Sequence, residues 1–103
     1  MIPIIEQKRE QIGRLCRKYR VKRFELFGWA AEGRQFDAQQ SDLDFLVEFL
    51  ALQSGQHADM YSGLLESLQE LFDRSVDLVV AGAIRNHYFL EKVNQTRTML
   101  YAA

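Results

Sequence analysis

A single cysteine, Cys16, rules out an internal disulfide framework, and neither histidine, His57 or His87, has Cys or His neighbours at zinc-ligand spacing. The lone thiol falls on an apolar helical stripe, so it is expected to pack as a small hydrophobe in a reducing cytoplasm. No apolar run approaches the roughly 20 residues that a membrane span needs. The opening MIPIIEQKRE turns charged too early to serve as a secretory signal. An excess of charge is missing too. Thirteen Lys and Arg against 14 Asp and Glu leave a net charge of −1, which removes any general electrostatic case for binding nucleic acid or a membrane surface. With no internal repeat, low-complexity tract or long linker, the 103 residues read as one small domain, 1–103, around one core.

What is present is periodicity. Pro3 suits a first helical turn, and Ile5, Ile12, Leu15, Cys16 and Tyr19 recur at helical spacing, predicting an amphipathic helix over 3–19. Alternation predicts a strand over 21–27, closed by Gly28, with one helical turn over 29–32 before Gly33. The polar run 34–40 reads as a loop. Strand periodicity is cleanest over 42–49, where Leu43, Phe45, Val47 and Phe49 face one way and Asp42, Asp44, Leu46 and Glu48 the other. A loop over 51–57 leads to a helix over 58–73, a strand over 75–80 with Asp77 opposite Val76, Leu78 and Val80, and a helix over 83–94. The tail, 96–103, ends as a short extended piece. These elements predict an α+β fold: a small sheet whose apolar face lies under helices and whose second face bears three aspartates.

The chemistry concentrates between Phe27 and Val47, in FGWAAEGRQFDAQQSDLDFLV. Asp42 and Asp44 lie two apart on a strand and so project from one surface, where their charges repel unless a cation joins them. Pairing with the strand of Asp77 would add a third carboxylate. Such a set suits a hard, oxygen-seeking ion such as Mg2+, with substrate phosphates and waters completing its shell. A glycine turn just upstream is where a nucleotide's phosphates would be held. An isolated Asp-x-Asp pair is most often a solvated strand start; the glycine turn and the third aspartate are what favour a site here.

The run from Leu26 to Phe49 resembles the signature of the minimal nucleotidyltransferases, small members of the DNA polymerase β superfamily. Their pattern is a Gly-Ser turn, about ten residues, Asp-x-Asp, and a further acidic residue in a later strand. Gly28 matches the glycine, Gly33 the small residue closing the turn, Ser41-Asp42-Leu43-Asp44 the paired block, and Asp77 the third carboxylate. The order of elements agrees over nearly the whole chain. The resemblance implies a nucleotidyltransferase fold, a small mixed sheet with helices packed on one face. It implies Mg2+-dependent transfer of a nucleoside monophosphate from an NTP, commonly ATP, to a hydroxyl acceptor, with Asp42, Asp44 and Asp77 as catalytic and metal-binding groups. Many such proteins resemble antitoxins that accompany a HEPN-type toxin, and some place AMP on a tyrosine of that partner.

Trp29 departs from the pattern, standing where the family has a phosphate-binding serine; indole offers one donor and no acceptor. Either Trp29 swings outward and stacks on something, leaving the backbone cradle intact, or triphosphate binding is weakened and the chain acts as an antitoxin-like module by contact. Of the arginines, Arg85 in IRNHYF is a better phosphate candidate than Arg34, although both suit a solvated surface. Acceptor choice is expected to need another protein. A third reading makes the acidic face a contact between copies in a homo-oligomer.

Overall fold

The structure, a computed structural model, describes residues 3–32 and 42–103. In chain order these form α1 (Pro3–Gln7), α2 (Arg9–Lys18), β1 (Val21–Phe27), α3 (Trp29–Glu32), β2 (Leu43–Phe49), α4 (Gln56–Phe72), β3 (Val76–Val80), a 3-10 turn (Ala81–Ala83), α5 (His87–Thr96) and β4 (Thr98–Ala102). The strands make one mixed sheet in the order β3-β2-β1-β4. β1 is antiparallel to both its neighbours, and β2 runs parallel to β3 through the α4 crossover.

Strand alternation sorts side chains onto two faces. Val21, Phe24, Leu26, Leu43, Phe45, Val47, Val76 and Leu78 join Ile5, Ile12, Cys16, Leu64, Leu68 and Phe72 in the main core. Phe24 and Phe45 stack at 4.8 Å between ring centroids, and Phe45 reaches Phe72 at 5.8 Å. Burial pushes the Cys16 thiol up to about 12, so it is a packing residue and an inert nucleophile.

Three expectations need correction. The helix over 3–19 is interrupted at Lys8, whose amide bonds to the Ile5 carbonyl in a tighter turn before α2 resumes. The helix over 83–94 is a 3-10 turn followed by α5, which starts later because the Asn86 side chain caps it by accepting from the Phe89 amide at 3.1 Å. Nor do the helices keep to one face. α5 lies on the second face, where Val93 is buried with Phe27 and Leu46, flanked by Val79, Ala81 and Ile84. Leu46, on the face with Asp44 and Glu48, is what α5 covers. The tail pairs with β1 as β4. Among the described residues no helix is long and apolar enough to cross a membrane.

The contact between α4 and α2 depends on Gly63. A Cβ there would overlap the Tyr19 ring, which is tied by its hydroxyl to Ser67 Oγ at 3.2 Å. Gly63→Ala would gain about 1 kcal/mol of helix propensity, but overpacking costs about 1–3 kcal/mol. The expected result is net destabilisation by about 1 kcal/mol, seen as a lower urea midpoint at unchanged slope.

Candidate active site

Strand register assembles the site. Phe27 pairs with Asp44 across β1 and β2, and Asp44 pairs with Asp77 across β2 and β3. Asp44 therefore sits on the central pair of strands, with the end of β1 on one side and Asp77 on the other. The chain turns at Gly28 with φ +74°, a left-handed conformation. A Cβ at Gly28 would lie only 2.8 Å from Asp44 Oδ2, so glycine is required both for the turn and for the approach of the carboxylate. The Gly28 carbonyl accepts the first helical bond of α3 from Glu32, and its amide donates to Thr96 Oγ1 at 2.8 Å. The last residue of α5 thus pins the turn.

Asp44 is half-buried, and its carboxyl is pushed up to about 6. Burial is the largest cause, followed by the Asp77 charge, a hydrogen bond with the Asp77 carboxyl and the charge of Asp42. All four act in one direction: the protein holds acid groups where ionisation is disfavoured, and a shared proton relieves the repulsion. Two carboxyl groups in contact at a strand pair are a donor set suited to a hard divalent cation, which would take the place of that proton.

The convergence expected of three carboxylates is realised for two. Asp44 and Asp77 come together, whereas Asp42 is exposed and acts on Asp44 through charge; among the described residues no three acidic, histidine or cysteine side chains form a ready cluster of metal ligands. Asp42 lies one residue before β2, outside the ladder, so the pleat does not aim its side chain. Gly33, Arg34 and Ser41 lie outside the described residues, as does the segment 35–37. The Arg85 guanidinium donates to the carbonyls of Gly82 at 2.7 Å and Ile84 at 3.2 Å. It lines a neighbouring hollow with Val79, Ile84 and Phe89, separate from the cavity at Asp44.

That cavity, of about 450 Å3, is bounded by Phe27, Gly28, Trp29, Glu32 and Asp44 on one side and by Phe89, Lys92, Val93, Gln95 and Thr96 of α5 on the other. Its size is that of a small-molecule pocket. The α5 wall was missed in the sequence. Its signal was there in principle: Phe89, Lys92, Val93 and Thr96 fall at i, i+3, i+4 and i+7, one stripe of a helix.

The chain is 35% identical over 81 residues to the "Putative protein adenylyltransferase MJ0128" of Methanocaldococcus jannaschii, covering 79% of this chain and 78% of that protein. A second protein of that organism, "Putative protein adenylyltransferase MJ1379", is 33% identical over 78 residues, 76% of this chain and 75% of its own. A solved structure described as a "putative minimal nucleotidyltransferase" superposes with a TM-score of 0.72 at 26% identity, over 91% of this chain and 90% of that one. The chain belongs to the minimal nucleotidyltransferase family. No protein-family model matches the sequence. The fold is shared, at a TM-score of 0.59 and 19% identity over 95% of this chain and 72% of that one, with a structure of a tri-AMPylated Shewanella oneidensis HEPN toxin in complex with MNT antitoxin. In this minimal nucleotidyltransferase the turn glycine and the carboxylates of β2 and β3 stand together; the residue after that glycine is Trp29, 49% exposed at the rim of the cavity.

Proposed function

We propose that this chain is a protein adenylyltransferase that moves AMP from ATP to a hydroxyl of a partner protein. The observation that carries the reading is the pairing of Asp44 with Asp77 across β2 and β3, with Asp44 beside the glycine turn and lining a cavity of nucleotide size. The naming of both relatives as protein adenylyltransferases and the AMPylated HEPN toxin bound to a neighbour of the same fold support it. Asp44 and Asp77, with Asp42 alongside, are the groups that would hold Mg2+, and the ion would supply charge neutralisation at the phosphate oxygens. Gly28 shapes the phosphate turn, and Gly33 and Ser41 are assigned to the nucleotide by the sequence resemblance alone; Arg85 is left to the surface role its carbonyl contacts support. In the reaction the acceptor oxygen bonds to the α-phosphorus and the bond to the bridging oxygen breaks. Pyrophosphate leaves, and the hydroxyl proton passes to the Asp77 carboxylate. The acceptor, on this reading, belongs to a HEPN-type partner.

Trp29 favours one alternative, a weakened binder that neutralises such a partner by contact. Calorimetric titration of ATP with Mg2+ into the natural protein and into Trp29→Ser separates the two. The transferase reading expects saturable binding by the natural protein that EDTA abolishes. Binding by Trp29→Ser alone would defeat that reading and support the contact module.

A further inference from the structure

Groups of two chemistries line the cavity. Asp44, Gly28 and Thr96 are contiguous: the carboxylate crowds the glycine, and the glycine amide bonds to the threonine hydroxyl. These groups are polar or backbone. Aromatic side chains line the same cavity. Trp29 is 49% exposed, and Phe89 is 38% exposed while its ring meets Phe27 edge-on at 6.0 Å. Two partly exposed aromatic side chains thus line a single cavity. Indole cannot replace a serine at a phosphate, having no acceptor and a single donor, but its face can receive a flat π system.

We propose that Trp29 and Phe89 form the seat of the nucleobase, so that tryptophan in the serine's place moves recognition from the phosphates to the base. The inference rests on the nucleotidyltransferase reading and names which part of the nucleotide meets which wall. The triphosphate lies toward Gly28 and Asp44, and the base stacks at the aromatic mouth. Aromatic stacking tolerates every base, so the seat favours purines over pyrimidines by stacking strength, with little discrimination between ATP and GTP.

Trp29 is the sole tryptophan, which makes it its own reporter. In MgCl2, ATP is expected to quench its fluorescence saturably, whereas inorganic tripolyphosphate, which has no base, binds by calorimetry without quenching. Trp29→Leu and Phe89→Ala are each expected to weaken ATP about tenfold, on the scale of one lost base stack, and to leave tripolyphosphate affinity unchanged. ATP binding without quenching, or tighter binding by Trp29→Leu, overturns the base seat while leaving the transferase reading intact. Failure of ATP and tripolyphosphate alike to bind the natural protein overturns both.

Discussion

Asp44→Asn is expected to abolish transfer of labelled AMP while making the metal-free protein more stable at neutral pH. The two effects have one cause. Asp44 is held half-buried against Asp77, with its carboxyl pushed up to about 6 from the ordinary 3.8. Between those two values the folded protein binds a proton that the unfolded chain releases. Stability from this group is therefore full below about pH 4 and lost as pH rises through 6. At pH 7.5 without metal the ionised pair is a liability on the order of 1–2 kcal/mol, after allowance for the solvent screening of a half-buried group. Asparagine keeps the shape and removes the charge. Urea unfolding in EDTA should show the natural protein weakening between pH 5 and 7.5 and the variant nearly level across that range. Mg2+ should stabilise the natural protein at pH 7.5 far more than the variant, because only the former offers the anionic pair. Loss of AMP transfer should exceed 100-fold, about 2.7 kcal/mol of barrier. A variant that is less stable at pH 7.5 in EDTA would contradict the electrostatic account of the site.

Arg97→Ala should produce the largest loss of stability of any single side-chain truncation considered. Glu25 lies on β1, the strand flanked by both β2 and β4, and its side chain is 8% exposed. Arg97 meets it with two bonds, Nε to Oε2 at 2.7 Å and Nη2 to Oε1 at 2.8 Å, and donates a third to Asn94 Oδ1 at 2.8 Å. The bidentate guanidinium is the main reason the Glu25 carboxyl is held below its ordinary value. Removing one member of a buried pair costs about 3–5 kcal/mol. The lower figure applies here because the Arg97 side chain is 33% exposed and water can partly replace it. About 3 kcal/mol is a large share of the roughly 5–15 kcal/mol that holds a domain together. The sign with pH distinguishes the mechanism. Glu25 contributes stability above its ordinary carboxylate range and loses it as pH falls through its lowered folded value. The Arg97→Ala penalty should therefore be largest near pH 7 and shrink toward pH 4. Replacing both partners, Glu25→Leu with Arg97→Met, should restore most of the loss. Arg97 also follows Thr96, which pins Gly28, so nucleotide affinity in the single variant should fall together with stability.

How much of this was legible beforehand differs by element. Strand alternation put Asp44 and Asp77 each on the polar face of its strand in advance, but only the parallel pairing of β2 with β3 made them neighbours. The Gly28 turn was legible because only glycine ends a strand so abruptly before a helical run. The Asn86 cap was readable as a residue type, but Ile84, Tyr88 and Val93 at near-helical spacing drew the expected start back to 83. Glu25 with Arg97, and Gly28 with Thr96, are separated by 72 and 68 positions. No local period links such pairs.

The amino-acid order alone determined the α+β class, the apolar face of the sheet, the turn glycine and the spacing of Asp42, Asp44 and Asp77, because these follow from local periodicity and covalent spacing. The tertiary structure decided what those periods cannot encode: that α5 folds over the second face, that Thr96 and the aromatic wall of Phe89 close on the turn, and that Asp42 stays outside the ladder while Asp44 and Asp77 meet. Contacts across the sheet depend on how distant segments pack, and packing answers to volume and burial over the whole chain.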